Sequence, residues 1–265
     1  MNIRTAFKLP KEHGAWAMLY VPFVVGTLVA SRLSFRLLLL LMSVTFVFIA
    51  RESVLNWFRA RSRGRDDSDS RRLMIIYFAL AGILGAPLFL AYKLYWLAGF
   101  GLAMLLLLAA NTQQALRRKD RTIGGEMIGI FGLTLTAPAA YYVSRRAFDP
   151  VALWLWILCS LYFLSSVFYV KLRVNTINPR KEQVRKESWR HCAAYHALLL
   201  AVLVSLTLIK SSNLFVLAAF SPVLLRSFWH LARPVRHVNL RRVGLLEMGY
   251  SISFLIFATL TFRGL

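Results

Sequence analysis

The sequence predicts an all-α, polytopic transmembrane helical bundle, and three observations carry that reading. Hydrophobic residues make up 58% of the 265 positions and mean hydropathy is positive, beyond what a soluble domain of this length carries. Apolar runs of about 15 to 21 residues, the length a helix needs to cross a bilayer, recur along the whole chain. Lys and Arg outnumber Asp and Glu by 33 to 11, a formal charge of +22, and they concentrate between the apolar runs. That interleaving excludes a nucleic-acid-binding domain, whose basic residues would share one soluble face.

The runs fall at approximately 15–30, 35–50, 73–92, 94–110, 123–143, 151–170, 192–209, 213–230 and 243–262, giving nine spans in a single integral-membrane domain, 1–265. The shortest break is Tyr92-Lys93-Leu94, where the chain must turn within a few residues. With the N-terminus inside, 26 of the Lys and Arg residues fall on the inner side and 7 on the outer. This matches the positive-inside rule for a multi-pass protein of the cytoplasmic membrane with its C-terminus outside. Nine-span parity also needs the first run as a retained helix, although Arg4, Lys8 and Lys11 ahead of it resemble a secretory leader.

Within the spans, Gly125, Gly129 and Gly132 share one face and let a neighbouring helix approach closely. Pro22, Pro87, Pro138 and Pro222 are expected to kink their helices. Cys159 and Cys192 read as free buried thiols. Two inner loops stand out by length, 51–72 after span two and 171–190 after span six. Glu12, Gly14 and Pro22 at span one are echoed by Glu126, Gly129 and Pro138 at span five, a faint sign of duplication between helices 1–4 and 5–8.

The functional signal is ionisable residues near the inner span ends: Glu12, His13, Arg51, Glu52, Glu126, Lys171, His191, His196, Arg226 and Glu247. Charge at membrane depth is expensive, so such groups pair or face water, and these ten could line one cavity open to the cytoplasm. A headgroup-layer position is the simpler alternative for each. It fits Glu126, His196 and Glu247 least, because an apolar helix continues past them. Glu12 also suits a helix start, where a carboxylate complements the helix dipole. His191 and His196 are five apart and lie on different helix faces, which argues against a paired metal site. Asn111 and Gln114 share a face at the end of span four and could hydrogen-bond a ligand or cap the helix.

The string Lys11-Glu12-His13-Gly14-Ala15-Trp16-Ala17-Met18-Leu19, with Pro22 and Gly26, resembles the opening of the YwiC-like membrane proteins. A second block of that family is similar to Gly125-Glu126 through Ala137-Pro138-Ala139-Ala140-Tyr141-Tyr142. The nine-helix plan with long loops after spans two and six also resembles UbiA-type intramembrane prenyltransferases. In that superfamily two Asp-rich motifs hold Mg²⁺, which binds a prenyl diphosphate. Here Asn56 is placed to begin the first motif, but position 60 is Ala, and Asp66, Asp67 and Asp69 follow later among arginines. The second loop offers Lys171 and Arg173 with neutral Asn175 and Asn178. The metal candidates are therefore Asp66, Asp67 and Asp69 alone, and dinuclear Mg²⁺ is disfavoured.

The resemblance implies a prenyltransferase-like relative that binds an isoprenoid or anionic, amphipathic lipid-like substrate from the cytoplasmic side. Arg51, Lys171 and Arg173 would hold the head, with Asn56, Asn111 and His196 as further contacts, and Glu12, His13 or Glu126 would act as acid or base. The competing expectation is a non-catalytic transporter or lipid-binding protein in contact with membrane lipids. It draws on the missing Asp motifs and on Glu and His residues able to relay protons.

Overall fold

The computed structural model describes residues 13–119, 121–176, 182–209, 213–233 and 239–262, with backbone alone at 13, 240 and 241. These residues form ten helical segments: α1 (His13–Ala30), α2 (Phe35–Arg61), α3 (Ser68–Leu90), α4 (Leu97–Leu116), α5 (Ile123–Thr134), α6 (Thr136–Arg145), α7 (Pro150–Thr176), α8 (Glu182–Leu208), α9 (Leu214–Ala232) and α10 (Leu240–Phe262). Among the described residues, eight spans are long and apolar enough to cross a membrane, α5 and α6 counting as one, and α1 is a shorter apolar ninth. Helices are what a bilayer permits here, because each satisfies its own backbone polar groups away from water. Ile83, Leu106, Leu198 and Leu225 are exposed on the surface, whereas Ser53, Thr134, Ser165, His196 and Arg226 are buried. That inside-out distribution suits a lipid surround.

The helices overrun the apolar stretches. Helix α2 continues to Arg61 and α7 to Thr176, so most of the stretch 51–72, read from the sequence as a loop, is helix. Once nucleated, a helix propagates readily into good helix-forming polar residues, so hydropathy marks the membrane stretch and not the helix end. The α2–α3 turn is short: Gly64 takes φ +70°, Arg65 N–H donates to Ala60 O at 3.0 Å, and Asp67 caps α3. Between α3 and α4 the chain leaves the helix as expected, with Lys93 at φ 55°.

The chain divides into two compact units, Met1–Leu153 and Trp154–Leu265; the boundary falls within the first turns of α7. In the first unit α1 packs on α5 and α6, α2 on α3, α4 and α6, and α4 on α5. Leu19, Phe23, Leu40, Phe48, Ala140 and Val143 belong to its buried core. Pro22 and Pro87 lie inside unbroken helices, but ahead of Pro138 the helix is interrupted at Leu135. Pro138 cannot donate to the Thr134 carbonyl and its ring crowds that group. The Thr136 hydroxyl, beside the break, reaches both Leu133 O and Leu19 O of α1 at 2.9 Å.

One close helix contact depends on glycine. A Cβ built on Gly26 of α1 would collide with the Ala137 carbonyl oxygen of α6, and no rotamer change relieves a clash with backbone. Built on Gly129 and Gly132, Cβ atoms would just touch Asn111 and Leu107 of α4, each at 3.4 Å, an ordinary contact distance. The glycine face of span five therefore seats α4.

In the second unit α8 packs on α9, and α9 on α10. Tyr162 of α7 stacks on Phe254 of α10 with ring centroids 4.0 Å apart, and its hydroxyl donates to Ser251 at 3.3 Å. Tyr195 of α8 donates to Leu161 O of α7 at 2.6 Å, and Asn213 to Thr261 O of α10 at 2.8 Å. Cys159 and Cys192 are free and buried.

Candidate functional site

The residues singled out in the sequence separate into two groups, one in each unit. In the first unit, Arg51 Nε donates to Asn111 Oδ1 at 2.9 Å, and Asn111 Nδ2 donates to Gly125 O at 3.3 Å. This chain joins α2, α4 and α5. Arg51 Nη1 also meets Glu52 Oε1 at 3.3 Å. Both ends of the Asn111 amide are thus used inside the unit. Glu126 sits half-buried in the first turn of α5, next to the residue that accepts from Asn111. His13 opens α1, which packs on α5, and Glu12 lies outside the described residues. Asn56 is half-buried within α2.

Two of the three metal candidates have local duties. Asp67 accepts from Ser70 N at 3.0 Å and from Ser70 Oγ at 2.6 Å, and Asp66 forms a loose, exposed pair with Arg71 at 3.8 Å. Among the described residues, no group of three or more His, Cys, Asp or Glu side chains is gathered to hold an ion, and the capping duty of Asp67 does not fit a dinuclear magnesium site. As a cap, Asp67→Ala is expected to lower stability by about 1 kcal/mol, with no change in the melting response to added Mg²⁺. Thermal unfolding with and without Mg²⁺ checks both.

The second unit contains the denser constellation. Arg226 of α9 is buried and ion-paired with Glu247 of α10. The Tyr169 ring of α7 lies 4.0 Å from its guanidinium carbon and the Tyr250 ring of α10 lies 5.0 Å away, so aromatic faces cover the cation. Arg226 Nε and Nη2 have no hydrogen-bond acceptor among the described residues. One turn after Tyr169 on α7 comes Arg173, only 7% exposed. Its Nε is sealed without an acceptor, and no carboxylate among the described residues pairs with it. Arg226 lies over the Tyr169 ring and Arg173 follows Tyr169 by one turn of α7, so the two cations share one neighbourhood, in which Glu247 is the single carboxylate partner among the described residues.

His196 is the joint beneath this cluster. Its Nδ1–H donates to Cys192 O at 2.7 Å, while Nε2 lies 2.9 Å from both Ser165 Oγ of α7 and Ser227 Oγ of α9. With Nδ1 holding the proton, Nε2 is free to accept from the hydroxyls. These bonds tie α7, α8 and α9 together. His191 is exposed, so the two histidines do not converge.

Tyr169, Tyr250 and His230 escape a hydropathy reading, because aromatics near span ends pass for interfacial anchors. A signal was nonetheless present: Tyr169 and Arg173, Arg226 and His230, and Glu247 and Tyr250 each lie three or four residues apart, so each pair shares a helix face. Lys171, two positions before Arg173, lies on a different side of α7 and is half-buried.

These features define an all-α, multi-pass membrane protein with a charged, aromatic-lined cluster inside its second unit. The chain belongs to the YwiC-like protein family, whose model matches residues 9–141. It is 27% identical over 248 residues to an uncharacterized protein of Haemophilus influenzae, covering 94% of this chain and 95% of that protein. To the uncharacterized protein YwiC of Bacillus subtilis it is 26% identical over 193 residues, 72% of this chain and 74% of that one. No solved structure matches.

Proposed function

We propose that this protein binds the anionic head of an isoprenoid- or lipid-like amphiphile, with Arg173 as the principal contact. The observation that carries the reading is Arg173, only 7% exposed, with its Nε sealed and no carboxylate partner among the described residues. Taking an unpaired charge partly out of water is unfavourable, and an anionic ligand offsets that cost. Arg51 and Asn111 are committed to each other, and Lys171 lies off the Arg173 face, so the head-binding role narrows to the second unit. The exposed apolar helix faces allow the tail to lie along the bundle in the bilayer.

The UbiA-like plan extends the reading to a transferase acting on prenyl diphosphates from the cytoplasmic side; Glu12, His13 and Glu126 remain acid–base candidates of the first unit by themselves. The alternative is a non-catalytic transporter or lipid-binding protein, favoured by the local duties of Asp66 and Asp67 in the α2–α3 turn. Turnover of prenyl diphosphate by the purified full-length protein, with and without Mg²⁺, separates these two.

The binding itself is tested by thermal stabilisation with prenyl diphosphate, phosphatidic acid and phosphatidylcholine. The anionic amphiphiles are expected to stabilise the wild type, and Arg173→Gln to weaken their binding about tenfold or more, as the loss of a charged hydrogen bond implies. Equal stabilisation by phosphatidylcholine, or undiminished binding by Arg173→Gln, overturns the proposal.

A further inference from the structure

We infer that Glu247 is a built-in competitor for this anion site: it occupies Arg226 in the empty protein and yields it to a phosphate-type head. The inference rests on the reading of the second unit as an anion site and adds Arg226, Glu247 and the chemistry of the head.

The stoichiometry of charge leads there. Arg173 and Arg226 bring two buried cations, and Glu247 is the single carboxylate paired within the cluster among the described residues. A guanidinium presents five N–H donors in a planar fork, yet Arg226 directs only one side at Glu247, leaving Nε and Nη2 without acceptors among the described residues. Tyr169 and Tyr250 turn their ring faces to the cation and offer its N–H donors no acceptor lone pair there, so these donors are what an oxygen-rich head can engage. A phosphate monoester or diphosphate carries enough charge to match both guanidiniums and enough oxygens to take bidentate bonds from each. Once it binds, the Glu247 carboxylate becomes a surplus like charge beside it. Both Glu247 carboxylate oxygens are sealed, but its aliphatic stem carries the 16% accessibility of the side chain, against 3% for Arg226, so a swing of that stem is the route by which the carboxylate withdraws.

A carboxylate that competes in this way lowers affinity in the wild type, and removing its charge raises it. The test measures binding of phosphatidic acid in nanodiscs and of inorganic phosphate in detergent, on full-length wild type, Glu247→Gln, Glu247→Asp and Arg173→Gln. Glu247→Gln is expected to bind phosphatidic acid roughly tenfold tighter than wild type, and Glu247→Asp, which draws the carboxylate back by one methylene, tighter by a smaller factor. Should Glu247→Gln not fold, Glu247→Asp decides alone. Tightening for phosphatidic acid only supports the inference with a lipid head as the source of phosphate; tightening for inorganic phosphate as well supports it with the phosphate group sufficient. If neither Glu247 variant binds tighter while Arg173→Gln binds weaker, the competitor is overturned and the anion site stands. If Arg173→Gln is also unchanged, both fall.

Discussion

Gly26→Ala is expected to pull α1 away from α6 and to cost the first unit roughly 3 kcal/mol or more, at or beyond the upper end of ordinary overpacking. The added methyl meets the Ala137 carbonyl oxygen, which is fixed in the helix backbone and cannot rotate aside. The displacement would also break the bond from the Thr136 hydroxyl to Leu19 O, beside the interruption at Leu135 where backbone groups rely on side chains. Gly82→Ala is the control, since a Cβ there meets nothing within 4 Å and alanine favours a helix. Thermal unfolding of the two detergent-solubilised variants should separate them widely; equal melting would show that the α1–α6 contact is looser than described.

Arg226→Ala is the second large effect. It strands Glu247 in a half-buried setting and empties the space between Tyr169 and Tyr250. Breaking a buried pair from one side costs about 3–5 kcal/mol. Replacing both partners by apolar residues of similar size, Arg226→Met with Glu247→Leu, should recover most of that loss, because no charge is left uncompensated. Unfolding of the single and double variants decides: a double variant no more stable than Arg226→Ala alone would mean that packing, not charge, dominates there.

Much of the fold is legible in the sequence because a bilayer imposes a length on each apolar run. Even the abrupt break at Lys93 could be placed from a cation between two runs. Helix ends were not legible, since α2 and α7 continue as helix into polar residues that hydropathy assigns to loops. Gly26 and Ala137 fall in the two motif blocks that resemble the family, and the structure supplies their physical link: the blocks pack against one another across α1 and α6. Among site residues, Arg51 and Asn111 were both singled out from sequence, but their mutual bond depends on how α2, α4 and α5 pack. The partnership of Arg226 with Glu247, Tyr169 and Tyr250 is likewise tertiary, joining three helices through side chains that pass singly for headgroup or interface residues. Arg173 was expected as a phosphate contact; its burial without a carboxylate partner among the described residues, which gives that expectation its force, appears only once the helices are assembled.

The most direct measurement is native mass spectrometry of the full-length protein released from membranes, wild type beside Arg173→Gln, with the bound small molecules identified by fragmentation. A phosphate-headed amphiphile retained by the wild type and lost from Arg173→Gln is the expected result. An anionic amphiphile absent from both proteins, or retained equally by both, would contradict the assignment of the second unit as an anion site.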